Sequence, residues 1–442
     1  MPRPGLLLPV LQNWACHNCG GCCREHLIGI TAAEKTRIES QGWSVQHGIP
    51  ADRPLFVPHG SAWRINHQAD GACVFLDPAG LCRIHSRFGE PAKPLACRLY
   101  PYAIHPAGHL TTTSLRFSCP SVVQNLGSPV SSQRSPIQTL ADEVVPSNYR
   151  SLPPPPLRPG LAFDWPRMTR LTAWLERGLS DPEVSFPIRL QRMLSWLALL
   201  GQAEADALSE EHFGDLVKLL YEAAARALPA APRDTTTLRR PSRLARLMLR
   251  QLTAQLLRHD TAVAVDKGWR GRLAQFTHGL RFTLGVGSIP QLPDPDSVRV
   301  AFVERAAVPA SQIHSVPFAV TEAPLESWEP EWDELFVRYF HVKLQGLHFC
   351  GPAFYDYPVL TGLQSLALMF PAVLWTARLR AAREQRTSIQ LRDLQASLAV
   401  LDHNFGYSPV LGLRSSQKRI EQLAAMDQLS ALVAWYSRTA SP

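Results

Sequence analysis

Cysteine is almost missing from the last three quarters of this chain. Of nine cysteines in 442 residues, only Cys350 lies beyond position 119. An odd count in so long a chain argues against a small disulfide-stapled scaffold. Familiar catalytic signatures are missing too. No G-x-x-x-x-G-K-[ST], H-E-x-x-H or G-x-S-x-G occurs, so nucleotide-loop, zincin and nucleophile-elbow chemistry are not expected. A lone G-x-G at Gly285 and Gly287 follows no strong strand and opens no clear helix. No internal repeat of fixed period is present.

Long hydrophobic runs are scarce. Tyr357 to Ala377 is the exception, with no charge over 21 residues. That length spans a bilayer, but Thr361, Gln364, Ser365, Pro371 and Thr376 dilute it, and a buried core helix is expected. Gly5 to Leu11 is a short apolar run interrupted by Pro9, with no small-residue cleavage site after it. The expected location is therefore cytoplasmic, away from any membrane.

What the chain does have is a dense thiol run at Cys16-His17-Asn18-Cys19-Gly20-Gly21-Cys22-Cys23. A C-x2-C step lets two sulfurs converge on one metal, and Gly20 and Gly21 supply the backbone freedom for the turn. C-x2-C-x2-C also opens bacterial ferredoxin-type iron–sulfur runs. Cys73, Cys82, Cys97 and Cys119 follow, so the expected metal ligands are Cys16, Cys19, Cys22, Cys23, Cys73, Cys82, Cys97 and Cys119. One working division puts Cys16, Cys19, Cys22 and Cys119 on one centre and Cys23, Cys73, Cys82 and Cys97 on another. An iron–sulfur cluster, [4Fe–4S] by the spacing, and zinc both remain open. His85, three residues after Cys82, is a candidate imidazole for a zinc site, and His17 and His26 are weaker ones. Cys350 reads as a packed core thiol.

The surrounding text carries a resemblance. Cys82-Arg-Ile-His85, Pro94-Leu-Ala-Cys97-Arg-Leu-Tyr-Pro101 and the opening thiol run together resemble the YkgJ-type CxxCxxCC cysteine-cluster family over roughly residues 13–122. The resemblance implies zinc or iron chelation and brings no established reaction.

The composition divides the chain into three parts. Residues 1–125 read as a loop-rich cysteine unit stabilised by metal. One helix is expected there, at Thr31 to Gln41, with Thr31 and Glu34 as a capping box. Tight turns are expected at Gly60-Ser61, Asp70-Gly71 and Asp77 to Gly80. Residues 126–160 hold eight prolines and read as an extended, solvated linker. Residues 161–442 read as mostly helical, with an irregular insert near 284–330 that contains a candidate strand at Val298 to Val303. Helical periodicity is clear at Trp165 to Leu179, Pro187 to Leu200, Glu210 to Leu228, Pro241 to His259, Trp332 to Leu347, from Val359, at Leu391 to Phe405 and at Ser416 to Tyr436. The fold class is α+β.

Two functional readings follow for the helical part. In one it engages a partner. The stretch 233–281 has eleven Lys or Arg against three Asp, which suits an acidic protein. Its aromatics are too few for base stacking, so nucleic acid is not the expected partner. In the other, Phe336 to Leu344, Phe349 to Phe354 and the apolar Leu360 to Leu374 helix are similar to the C-terminal part of flagellin lysine N-methylases. That resemblance implies a protein lysine N-methyltransferase using S-adenosylmethionine beside an iron–sulfur cluster.

Overall fold

Strand and helix content follow the α+β expectation, at 11% and 53%. The computed structural model describes residues 5–146, 148, 152–204, 208–228, 239–257, 273, 277, 280–282, 284–289 and 316–440. The candidate strand Val298 to Val303 and most of the basic stretch beyond 257 lie outside them.

The strands are short. They are β1 (Gly5–Leu7), β2 (Asn13–Trp14), β3 (Gly29–Ile30), β4 (Phe56–His59), β5 (Ala62–Ile65), β6 (Tyr102–Ala107), β7 (Leu110–Leu115) and β8 (Ser128–Pro129). β1 lies parallel to β7, and β7 pairs antiparallel with β6. β5 is flanked by β3 and β4, both antiparallel to it, while β2 pairs with β8.

Between them lie α1 (Cys22–Glu25), α2 (Ala32–Glu39), α3 (Arg83–Phe88), α4 (Leu95–Leu99), α5 (Pro120–Val123) and α6 (Arg134–Val144). Thr31 caps α2 with the expected box: its hydroxyl accepts from the Glu34 amide, and the Glu34 carboxylate accepts from the Thr31 amide. Gly60, Asp70-Gly71 and Asp77 to Gly80 make their turns, the last closed by Gly80 N–H donating to Asp77 O.

The rest is helical: α7 (Trp165–Leu179), α8 (Phe186–Gln202), α9 (Glu210–Ala227), α10 (Arg243–Leu256), α11 (Phe318–Thr321), α12 (Pro330–Gln345), α13 (Val359–Arg383), α14 (Leu391–Asn404), α15 (Arg414–Ala425) and α16 (Leu429–Ser437). α13 is long and apolar enough to cross a bilayer, but 94% of its apolar window is buried inside the molecule, so packing accounts for its composition. The expected single helix Ser416 to Tyr436 is two. Asp427 takes φ 53°, and Gln428 N–H reaches back to Leu423 O, which closes α15 with a left-handed cap.

Among the described residues two separate cores result. The large one joins α7–α16 to β1, β6, β7 and α5, and contains Leu6, Ile104, Leu115, Phe117 and Val122 beside Phe186, Phe336, Phe340, Phe370 and Trp375. The small one holds Ile30, Ile38, Ile49, Phe56, Ile65, Val74, Phe75 and Ile84, with Cys73 and Cys82 packed against it. The packing boundary therefore runs through residues 1–125 rather than at their end.

The stretch 126–160 also departs from an extended, solvated chain. It carries β8 and α6, and it buries Val130, Ile137, Leu140 and Leu157 in the large core. Proline richness masked the apolar spacing Ile137, Leu140, Ala141, which places one face of α6 on the core.

Two further contacts pin the first 125 residues to the helices. Arg338 on α12 donates to Gln12 Oε1 at 2.9 Å and to the carbonyls of Val122 and Val123 at 2.8 and 2.7 Å. Gly346, just past α12, is pressed on β7 so closely that a Cβ there would sit 2.3 Å from Ser114 Cβ.

Candidate metal centre

The thiol run is shaped as a doubled-back loop. Asn18 and Gly20 both take positive φ, at 57° and 69°, and Cys23 N–H donates to Gly20 O as α1 begins. The entry is held by β2 pairing with β8. The turn at Asp77 to Gly80 lies across the loop: a Cβ on Gly80 would come within 2.5 Å of Asn18 O, so only glycine fits there.

Four distant thiols are delivered to this loop by different elements. Cys73 N–H donates to Cys23 O at 2.7 Å, and Leu76 bridges to Cys82 across the turn. Cys82 immediately precedes α3, Cys97 lies within α4, and Cys119 immediately precedes α5. All nine cysteines are unpaired by disulfide, including Cys350, which is buried in the large core as expected.

Electrostatic proximity sorts the thiols. Burial pushes Cys73 up, helped by repulsion from Cys97, Cys82 and Cys22. Burial pushes Cys97 up to about 12, with Cys22 and Cys82 adding repulsion and the Lys93 ammonium opposing it. Cys22 is raised first by its hydrogen bond with Cys23, at 4.0 Å between sulfurs, and then by burial. Cys19 is raised by burial and by Cys22 and Cys16, and Cys119 is pushed up to about 12 by burial, with Cys19 among its neighbours. Cys22 is thus the loop thiol whose charge reaches both Cys73 and Cys97, with Cys23 beside it.

Among the described residues, no three His, Cys, Asp or Glu side chains converge closely enough to hold one ion as placed. The chemistry of the donors nevertheless suits a soft cation. Cys73 and Cys97 are sheltered thiols raised first by burial and then by one another, and a bound divalent ion would supply the charge that favours their thiolates.

The histidines fall differently. His85 is exposed on α3. His17 Nδ1 lies 3.0 Å from Ser121 Oγ, on the Cys119 side of the loop. His26 stacks on His403 of α14, with ring centroids 4.8 Å apart, and lies at the same distance from Tyr100.

His26 marks a polar seam that the sequence did not reveal. Along it lie Glu25, whose carboxylate is 3.9 Å from His403 Nδ1, and Arg116. Burial raises the Glu25 carboxyl to about 8. Deeper, Lys343 on α12 sits fully buried 2.7 Å from Asp402 on α14 and donates to Leu115 O. Asp402 also accepts from Phe117 N–H and from the Tyr339 hydroxyl. His348 lies 3.3 Å from Lys343 Nζ and is held neutral by burial and that cation. The available signal was weak: Arg338, His341 and Lys343 sit among the apolar residues of the buried part of α12.

The other candidate stretches are occupied by packing. Phe336, Tyr339, Phe340 and the Leu360 to Leu374 helix, which carry the methylase resemblance, are core residues. In the described part of the basic stretch, Arg246 and Arg250 each lie 3.5 Å from Glu322, Arg239 pairs with Asp427, and Arg240 covers the Trp435 ring. Gly285 and Gly287 form a turn in which Phe318 N–H donates to Gly287 O.

No curated protein and no solved structure matches the chain. Residues 15–120, from the residue before Cys16 to the residue after Cys119, match the model of the CxxCxxCC family, described as "Putative zinc- or iron-chelating domain".

Proposed function

We propose that the chain is a metal-chelating protein whose ligands are the thiols between Cys16 and Cys119. Cys22, Cys73, Cys82 and Cys97 form one ligand set, and Cys16, Cys19 and Cys119 form the nucleus of a second. The delivery of Cys73, Cys82 and Cys97 to the loop, with Cys73 N–H donating to Cys23 O and the Asp77 turn packed on Asn18, is the observation that carries this reading. It departs from the ferredoxin pattern, in which spaced neighbours share a cluster. It favours a closed four-thiolate site for a single zinc or iron ion, which would lock the loop, the Asp77 turn, α3 and α4 together.

Anaerobic purification with elemental and acid-labile sulfide analysis tests this. Zinc or iron without sulfide is the expected result. Iron with matching sulfide and a broad band near ~400 nm would move the assignment to an iron–sulfur cluster. Metal-free protein with the small core fully folded would sink the reading.

A further inference from the structure

We propose that the seam between the cysteine loop and the helical core binds a small oxyanion, a carboxylate or phosphoryl group, on Arg116. Its guanidinium lies 3.9 Å from the centroid of the Tyr407 ring and 5.5 Å from that of Tyr100. It donates one hydrogen bond, at 2.9 Å, to His403 O. Among the described residues no carboxylate forms an ion pair with it, and its Nε has no acceptor.

Other sheltered arginines in this protein are better satisfied. Arg338 and Arg378 each donate to three oxygens, and Arg386 grips the carboxylates of Glu384 and Asp393. A partly buried cation with one neutral acceptor is costly unless something anionic reaches it. The acid at this wall, Glu25, feels the Arg116 charge without forming an ion pair with it, and its carboxylate lies 3.9 Å from His403 Nδ1. The inner end is closed by the Lys343–Asp402 pair, whose carboxylate is already taken by Lys343, Tyr339 and Phe117 N–H. Tyr407 marks the outer end, its residue 43% exposed while its hydroxyl is buried toward Arg116. A planar fork beside an exposed aromatic wall suits a carboxylate or phosphoryl group, which takes two parallel N–H donors. α1, which carries Cys22 and Cys23, forms the other side of the seam, so a bound anion would lie against the cysteine loop.

The test is calorimetric titration of the full-length protein with inorganic phosphate and, separately, succinate at fixed ionic strength. Whichever anion gives a saturable one-site isotherm names the group. Arg116→Gln should weaken it about tenfold or more, and Arg116→Lys by less, because a point charge replaces the fork. No saturable binding of either anion up to about 10 mM would overturn the proposal. So would unchanged affinity in folded Arg116→Gln. Should that variant not fold, phenylglyoxal labelling of the unaltered protein decides: the binding anion must shield Arg116 in peptide mass maps, and equal labelling with and without it overturns the site.

Discussion

The two hydrophobic cores of this molecule face the same entropic cost with unequal means. The large core gathers α7–α16 around α13, with Phe186, Phe336, Phe340 and Phe370 in ring contact at centroid distances of 4.7–5.6 Å. The small core has eight buried hydrophobic residues, six aliphatic and two phenylalanines, drawn from loops, short strands and the short helices α2 and α3. This core must order the chain from about Ile28 to Ile84, loops included, with few apolar side chains to do it. On the chelation proposed above, its thiols are where further stabilisation enters. The comparison teaches that one continuous stretch, residues 1–125, is split between the large helical core and a small core that has few apolar side chains and is ringed by thiols.

Metal removal breaks the comparison most severely if it is wrong. A chelator should strip the small core of a contribution on the order of 10 kcal/mol. Amide exchange over residues 28–98 should then become fast while α12, α13 and α14 stay protected. Equal loss in both regions would mean the cores are one cooperative unit. Next in size is Lys343→Met. It leaves the Asp402 carboxylate buried without its cation, which should cost about 3–5 kcal/mol in urea unfolding of the large core. Metal content should not change. A loss of bound metal would show that the seam transmits strain to the thiols.

Acid should act on the large core in a defined window. Burial holds His105 and His341 down to about 4. Both sit in elements of the large core, β6 and α12. Their unfolded value is near ~6.5, so the unfolded chain binds protons first. Stability is therefore full above pH ~6.5 and falls as pH drops toward 4, by on the order of 3 kcal/mol per histidine. Thermal melts from pH 7 to 4 should show the decline, and His105→Gln should remove part of it. A flat profile would mean that these rings are solvated. The smallest effect tests the small core locally. Thr31→Ala removes the cap of α2 and should cost about 1 kcal/mol, seen as faster exchange in α2 alone.

Helix positions were legible where one face repeats at three and four residues. Trp165–Leu179 matches to the residue, and Leu391–Asn404 ends one residue before the expected Phe405. The break at Asp427 was not legible, because a left-handed cap without glycine looks like ordinary helix text. The helix Arg134–Val144 was hidden by the prolines on either side of it. The thiol run and the four later cysteines were legible as a ligand inventory. The approach of Cys22 to Cys73 and Cys97, and the exposure of His85, were not, because each depends on the direction in which a short helix turns its side chains.

By itself the sequence determined the chemistry available here: a cluster of thiols early in the chain, apolar helices later, and the turns and caps that local backbone preference dictates. Those are properties of short windows, and short windows carry them. Tertiary structure alone decided which thiols face one another and where the packing boundary falls. It also set Arg116, His403, Tyr407 and Glu25 side by side across nearly 400 residues of chain. Such juxtapositions come from the burial of β7 and α12 against each other, with Lys343 reaching Leu115 O and Gly346 touching Ser114. That contact joins residues more than 200 positions apart, and no local pattern encodes it.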